Sequence, residues 1–274
     1  MTIAEAAPPP ITVRQAAAQA SALAGRGVRS VLRQPWVLAL GMVFPLFIAA
    51  TNSSIMGNAT DLPGFPEVDS MLQFLLPASI TQSALFSGLS AGTDTAIDLR
   101  LGFFDRLLVS PVARTSIIVG RLGGMALGCG VQALGFIAIY AVFGVRVHAG
   151  VVGIVILVLY AMAMGVALGG LATAFAFRVG SIEAIGGLFP LAFVLLFGSS
   201  AFFPTSAMEG AFRTFARVNP VTVMIDGIRH QVITGLDWSK ALVSLTIAIG
   251  LCATTATLAN AALRGRIKRA TVPA

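Results

Sequence analysis

The chain has 274 residues, 57% of them apolar and 11% charged, with a formal net charge of +7 and a mean hydropathy of +0.90. An ordinary soluble domain is about one quarter charged, so this chain has too little charge to cover a water-facing surface and is excluded from that class. The basic balance is not read as a nucleic-acid footprint, and no nucleic-acid partner is expected, because in a membrane chain the information lies in which loops carry the charge.

Residues 1–35 read as a cytoplasmic tail and interfacial helix. Glu5, the run Pro8-Pro9-Pro10 and the lack of a long apolar stretch before Trp36 argue against a cleaved signal peptide. Arg26, Arg29 and Arg33 recur at helical spacing, while Leu23, Val28, Val31 and Leu32 fall largely elsewhere on the wheel. The segment is therefore expected to lie along the inner membrane surface.

Six apolar stretches follow: Trp36–Ile55, Met71–Gly92, Leu122–Phe143, Val151–Phe175, Ile182–Phe203 and Leu242–Ala262. At 1.5 Å per residue each is roughly 30 Å or a little more, enough to cross the hydrocarbon core. None contains Lys or Arg, and their one ionisable side chain is Glu183, at the start of the fifth. Pro45 is expected to bend the first. Cys129 and Cys252 fall inside apolar runs and read as small buried hydrophobes.

With the N-terminus inside, Arg14, Arg26, Arg29, Arg33, Arg100, Arg106, Arg114, Arg121, Arg178, Arg264, Arg266, Lys268 and Arg269 all lie on the cytoplasmic side. The outer side holds Arg146, Arg213, Arg217, Arg229 and Lys240, together with the acidic first loop containing Asp61, Glu67 and Asp69. That asymmetry places both termini in the cytoplasm, in a multi-pass protein of the cell inner (plasma) membrane. The body of the protein is residues 36–263, and residues 264–274 form a basic cytoplasmic tail.

The second span carries a polar stripe, Ser79, Gln82, Ser83, Ser87 and Ser90, recurring roughly every three to four residues, with Phe86 beside it. Such a stripe suits either hydrogen bonding to a neighbouring helix or the lining of a wet route. After it, Leu99, Phe103, Leu107 and Leu108 repeat at helical spacing, interrupted by Arg100, Asp105 and Arg106, until Ser110-Pro111 ends the pattern. This predicts a short charged helix parallel to the membrane, shaped to slot into a groove on a partner.

Gly120, Gly124 and Gly128, and Gly165 with Gly169, mark close helix contacts. In the fifth span, Pro190 predicts a kink, and Gly186 and Gly187 permit close approach beside Phe193 and Phe197. Glu183 suits either selection of a cationic molecule or pairing at the helix start, with Arg178 as a candidate partner.

Between Pro204 and Lys240 the chain is too polar to span and too apolar to be simply solvated. Met208, Phe212 and Phe215 form one stripe, and Ile225, Ile228 and Val232 a second. Asn219 reads as an N-cap with Pro220 at the first helical position, and Gly235 as a stop. Two half-helices that dip in and return are expected, with Asp226 paired to Arg229 or to His230.

Several chemistries have no residues to support them. No phosphate cradle ending in Gly-Lys-Ser/Thr is present, since neither Lys240 nor Lys268 follows a glycine. The two histidines, His148 and His230, lack zinc-protease spacing and fall outside the spans, so no metal site, catalytic residue or cofactor is expected on this chain.

Asp98, Arg100, Gly102, Phe103, Asp105, Arg106, Pro111 and Arg114, followed by Gly120-Arg121, resemble the loop of type-2 ABC exporter permeases, particularly the actinobacterial daunorubicin-resistance-like membrane subunits. Asn219-Pro220, Asp226 and Arg229 are similar to that family's outer signature. The resemblance implies an all-α integral membrane fold with six transmembrane helices, an N-terminal interfacial helix, a cytoplasmic coupling helix at Asp98–Val109 and an outer re-entrant hairpin. It further implies a separate ABC ATPase subunit holding ATP and magnesium, a second permease copy (a homodimer or paired paralogue) and contact with membrane lipid. The second and fifth spans would face the route of a hydrophobic or amphipathic drug, lipid or related metabolite. An ion-gradient-driven transporter and a non-transporting membrane anchor are the alternatives.

Overall fold

The computed structural model describes residues 35–57, 60, 65–102 and 114–271, together with Gln15, Ala18, Gln19, Ala22 and Gly25. Among the described residues the regular structure is helical throughout. The helices are α1 (Pro35–Met56), α2 (Met71–Arg100), α3 (Arg114–Val142), α4 (Gly150–Val179), α5 (Ile182–Gly186), α6 (Leu188–Phe197), α7 (Gly210–Val218), α8 (Pro220–Ile233) and α9 (Trp238–Thr271). Gln15, Ala18, Gln19, Ala22 and Gly25 are helical too, whereas Arg26, Arg29 and Arg33 of the expected interfacial helix lie outside the described residues.

Among the described residues, four helices contain stretches long and apolar enough to cross a membrane: Ala39–Met56, Ser116–Val142, Gly150–Val179 and Trp238–Ile267. They correspond to the first, third, fourth and sixth expected spans. The second, α2, is long at 30 residues but less apolar, because it is packed inside the bundle. Phe74 to Leu85 is an unbroken buried run, so polar side chains such as Gln73, Thr81 and Ser83 meet protein there and not lipid. The fifth expected span ends at Phe197 instead of Phe203 and is interrupted at Gly187. Gly186 and Gly187 have poor helix propensity, and Pro190 leaves the carbonyl four residues before it without an amide. A Cβ at Gly186 would meet nothing within 4 Å, so the close approach expected of it is not made among the described residues.

Backbone contact holds α2 to α4. A Cβ at Gly88 would lie 2.6 Å from Leu168 Cβ and 2.8 Å from the Gly169 amide nitrogen, and one at Gly92 would lie 2.6 Å from Ala172 Cβ. The expected contacts of Gly165 and Gly169 are made inside the chain, against Cys129 and Met125 of α3. Both cysteines are free. The largest buried side chains, including Phe74, Phe136, Tyr160, Met224 and Ile225, bring α2, α3, α4 and α8 together around one core. Two glycines set helix ends by adopting left-handed φ: Gly180 (φ 69°) closes α4, and Gly235 (φ 113°) stops the chain after α8.

Candidate functional site

The turn after α6 is non-helical and buried, so its backbone groups need partners from elsewhere in the chain. The α7–α8 hairpin supplies them. Asn219 accepts from the Val221 amide through Oδ1 at 3.0 Å, capping α8. Its Nδ2 donates to the carbonyls of Leu195 (2.7 Å) and Gly198 (3.2 Å), closing α6. The Ser200 amide donates to Thr222 Oγ1 at 3.2 Å.

Arg229 completes the turn. Its Nε donates to the Phe74 carbonyl (3.2 Å), Nη2 to the carbonyls of Ser200 (2.7 Å) and Ala201 (3.0 Å), and Nη1 to Asp226 Oδ1 (2.7 Å) and Ser200 Oγ (3.4 Å). Those five bonds use all five guanidinium donors. The group also lies 3.8 Å above the centre of the Phe74 ring and is 5% exposed. Arg229 is therefore a saturated clamp between α8, the turn and α2, with no donor left for a passing molecule. Of the two expected partners of Asp226, Arg229 is the one found. His230 instead contacts Thr234 and, at 4.0 Å, Asp237.

The polar stripe of α2 divides. Ser79 Oγ meets Tyr140 Oη at 2.6 Å, and Thr81 Oγ1 meets Tyr160 Oη at 2.9 Å. Ser83 and Ser87 both donate to Gln132 Oε1, at 3.0 and 2.9 Å. These groups join α2 to α3 and α4, which is the neighbouring-helix alternative. Gln82 is 1% exposed, and its Nε2 has no hydrogen-bond acceptor among the described residues.

Phe86 instead joins a row of rings. Its centroid lies 5.7 Å from Phe44 of α1, 6.0 Å from Phe189 and 5.7 Å from Phe193. Phe193 then stacks on Phe197 (5.6 Å), and Phe197 on Phe202 (4.7 Å). Phe197 and Phe202 border a cavity of about 460 Å³ that is also lined by Asn52, Ser199, Met208 and Phe212. Pro190 is exposed in the first turn of α6.

The far end of α2 carries two ion pairs. Arg121 Nη1 meets Asp98 Oδ2 at 2.5 Å, joining α2 to α3. Arg100 Nη2 meets Glu183 Oε2 at 2.9 Å, joining α2 to α5, and Ser181 Oγ donates to the same carboxylate. The partner of Glu183 is thus Arg100 and not Arg178. Gly102 follows this end of α2 with φ 66°. Phe103, Asp105, Arg106 and Pro111 lie outside the described residues; Arg114 is the first residue of α3.

Residues 18–233 match the sequence model of the ABC-2 type transporter family. The chain belongs to the ABC-2 type transporter family. It is 28% identical over 221 residues to a protein described as transport permease ycf38 of Porphyra purpurea, covering 80% of this chain and 75% of that one. It is 24% identical over 215 residues to a protein described as the doxorubicin resistance ABC transporter permease DrrC of Mycobacterium tuberculosis, covering 77% and 75%. This chain is accordingly a multi-pass membrane permease of an ABC transporter.

Within this ABC-2 permease three of the hairpin residues singled out in the sequence, Asn219, Asp226 and Arg229, converge on one buried turn, while Pro220 is exposed and opens α8. Phe86, Phe193 and Phe197 converge on the aromatic row, and Glu183 stands apart at the α5 start. Sequence reasoning missed Tyr140 and Tyr160. They are the only two tyrosines of the chain, both inside apolar spans, and a buried phenol needs a hydrogen-bond partner. That requirement pointed to α2 hydroxyls as internal ties.

Proposed function

We propose that the protein is the membrane-spanning subunit of an ATP-driven exporter for a hydrophobic or amphipathic molecule: a drug, a lipid or a related metabolite. The row of rings from Phe86 through Phe193 and Phe197 to Phe202, ending in the cavity under α7, carries this reading. Stacked and tilted aromatic faces offer an apolar molecule sequential contacts without a fixed hydrogen-bond pattern. The resistance activity named for the Mycobacterium relative supports outward transport. Six spans cross the plasma membrane with both termini inside, α2 and the broken α5–α6 pair acting as the second and fifth.

Energy comes from a separate ABC ATPase that holds ATP and magnesium. Its closure acts on the stretch of chain between α2 and α3, where Asp105 and Arg106 are the residues expected to meet the ATPase. A second permease copy covers the face formed by α1 and α6, where Leu40, Val43, Phe47, Leu191 and Val194 are exposed large apolar side chains.

The test is ATP-dependent uptake of lipids and hydrophobic dyes into inverted vesicles that hold the permease and its ATPase. Loss of uptake in Phe193→Ala with ATPase association intact is the expected result. Uptake that persists without ATP and collapses with the proton gradient would refute the ATP-driven reading. Unchanged association and efflux after charge reversal at Asp105 and Arg106 would remove the coupling role.

A further inference from the structure

A second cavity lies on the other side of the clamped turn, about 730 Å³ in volume, between α8, the start of α9 and the segment leading into α2. This is within the size range of about 300–1,000 Å³ of small-ligand sites. Part of its wall is apolar: Phe65, Phe74, Val223, Ile233 and Val243. The rest carries hydroxyls from Thr205, Ser206, Thr222, Thr234 and Ser239, together with charged side chains.

The charges sort by whether they are spent. Arg229 and Asp226 line the cavity but neutralise each other at 2.7 Å. His230 has its pKa pushed down by partial burial and by nearby Lys240, so near neutral pH it adds no charge. Arg217 and Lys240 remain. Arg217 is exposed and makes no ion pair among the described residues, and Lys240 reaches Asp237 only at 4.0 Å. The cavity wall therefore carries two available cations beside an apolar surface.

Its level in the membrane follows from its neighbours. Trp238, immediately before Ser239 and Lys240, is 58% exposed at the first residue of α9. An exposed Trp at the start of a spanning helix marks the headgroup layer, where Lys also carries its ammonium into water along an apolar stem.

We propose that this cavity binds the phosphate headgroup of an anionic bilayer lipid, with Arg217 and Lys240 meeting the phosphate and Phe65, Val223 and Val243 meeting the start of the acyl chains. The site is separate from the aromatic row, since the turn held by Arg229 and Asn219 stands between the two cavities. It rests on the membrane placement of α9 and not on the direction or energy source of transport. A lipid bound here would tie the hairpin to α9 and to the entry of α2.

The experiment uses the purified full-length permease, scored by native mass spectrometry and by thermal unfolding in detergent with added phosphatidylglycerol, phosphatidylcholine or inorganic phosphate. Phosphatidylglycerol is expected to be retained and to raise the unfolding temperature more than phosphatidylcholine. The Arg217→Gln/Lys240→Gln double variant should weaken its binding roughly thirtyfold, as two headgroup contacts at a membrane surface imply. Arg146→Gln, which removes a cation that does not line the cavity, should bind like the unaltered protein.

Equal binding of the two lipids, or undiminished phosphatidylglycerol binding in the double variant, overturns the proposal. So does an equal loss in Arg146→Gln, which would mean diffuse surface charge. Protection by inorganic phosphate alone, equal to that by the lipid, overturns the lipid assignment in favour of a free-anion site. If the double variant does not fold, Lys240→Gln alone with Val243→Trp, which fills the cavity and keeps Arg217, decides between the same outcomes.

Discussion

The two ends of α2 are held by opposite means. At the first end Gln73 Nε2 reaches Asp69 Oδ2 (3.1 Å) and the carbonyls of Arg146 (3.3 Å) and Val232 (3.4 Å), while the next residue, Phe74, receives Arg229 on both its carbonyl and its ring. Gln73, Phe74 and Arg229 are all buried. At the last end the ties are Asp98–Arg121 and Arg100–Glu183, with side chains 23% to 74% exposed. Buried, fully paired groups are expensive to separate, because each would be left desolvated and unpaired. Exposed ion pairs exchange readily with water and salt. The helix is thus fastened at its Phe74 end and latched at its Arg100 end, and in the orientation proposed above the latched end is the one next to the ATPase.

The largest test of this contrast is Arg229→Leu. Removing the guanidinium leaves the buried carbonyls of Ser200 and Ala201 without their donors and the Phe74 ring without its cation, and should cost about 3–5 kcal/mol, read as a large fall in the detergent unfolding temperature. Arg229→Lys should recover little of it, having three donors in place of a planar fork of five. A wild-type unfolding temperature in Arg229→Leu would erase the distinction between the two ends.

Next, Asn219→Ala should cost about 0.5–2 kcal/mol through the α8 cap alone, and more because α6 loses its closing bonds. Asn219→Asp keeps the acceptor for Val221 and loses the donor to Leu195 and Gly198. It should fall between alanine and wild type, and equality with wild type would show that closing α6 contributes nothing.

At the latched end, Asp98→Asn should cost only about 0.2–1 kcal/mol, an effect that shrinks as salt is raised during the same unfolding measurement. Arg100→Glu should leave unfolding unchanged while altering ATP-dependent uptake, and Glu183→Arg in the same chain should restore uptake. Failure of that swap to restore it would mean that the pair does not act as a latch.

The hairpin was legible in the sequence wherever its logic is local. Asn219-Pro220 opens α8, Gly235 follows its end, and Ile225, Ile228 and Val232 form its buried stripe, because caps and helical periodicity act over a few residues. The work of Arg229 was not legible, since its partner Phe74 is 155 residues away and the demand comes from bare carbonyls, which have no sequence signature. Glu183 was misdirected for a related reason. Arg178 is near in sequence, whereas Arg100 is brought close only when α2 packs beside α5. Counting apolar residues also overran the fifth span, because Ser199 to Phe203 is hydrophobic enough to continue a helix but is used as a turn.

The interruption at Gly187 and the early end at Phe197 have a consequence for the lipid itself. The apolar stretch Ile182–Phe197 has 16 residues, which at 1.5 Å each gives roughly 24 Å against a hydrocarbon core of about 30 Å. Such a mismatch is relieved by thinning the bilayer beside the short helix. The thin place would lie next to Phe193 and Phe197, so on the proposed route an apolar molecule leaving the aromatic row would meet less hydrocarbon there than beside a full-length span.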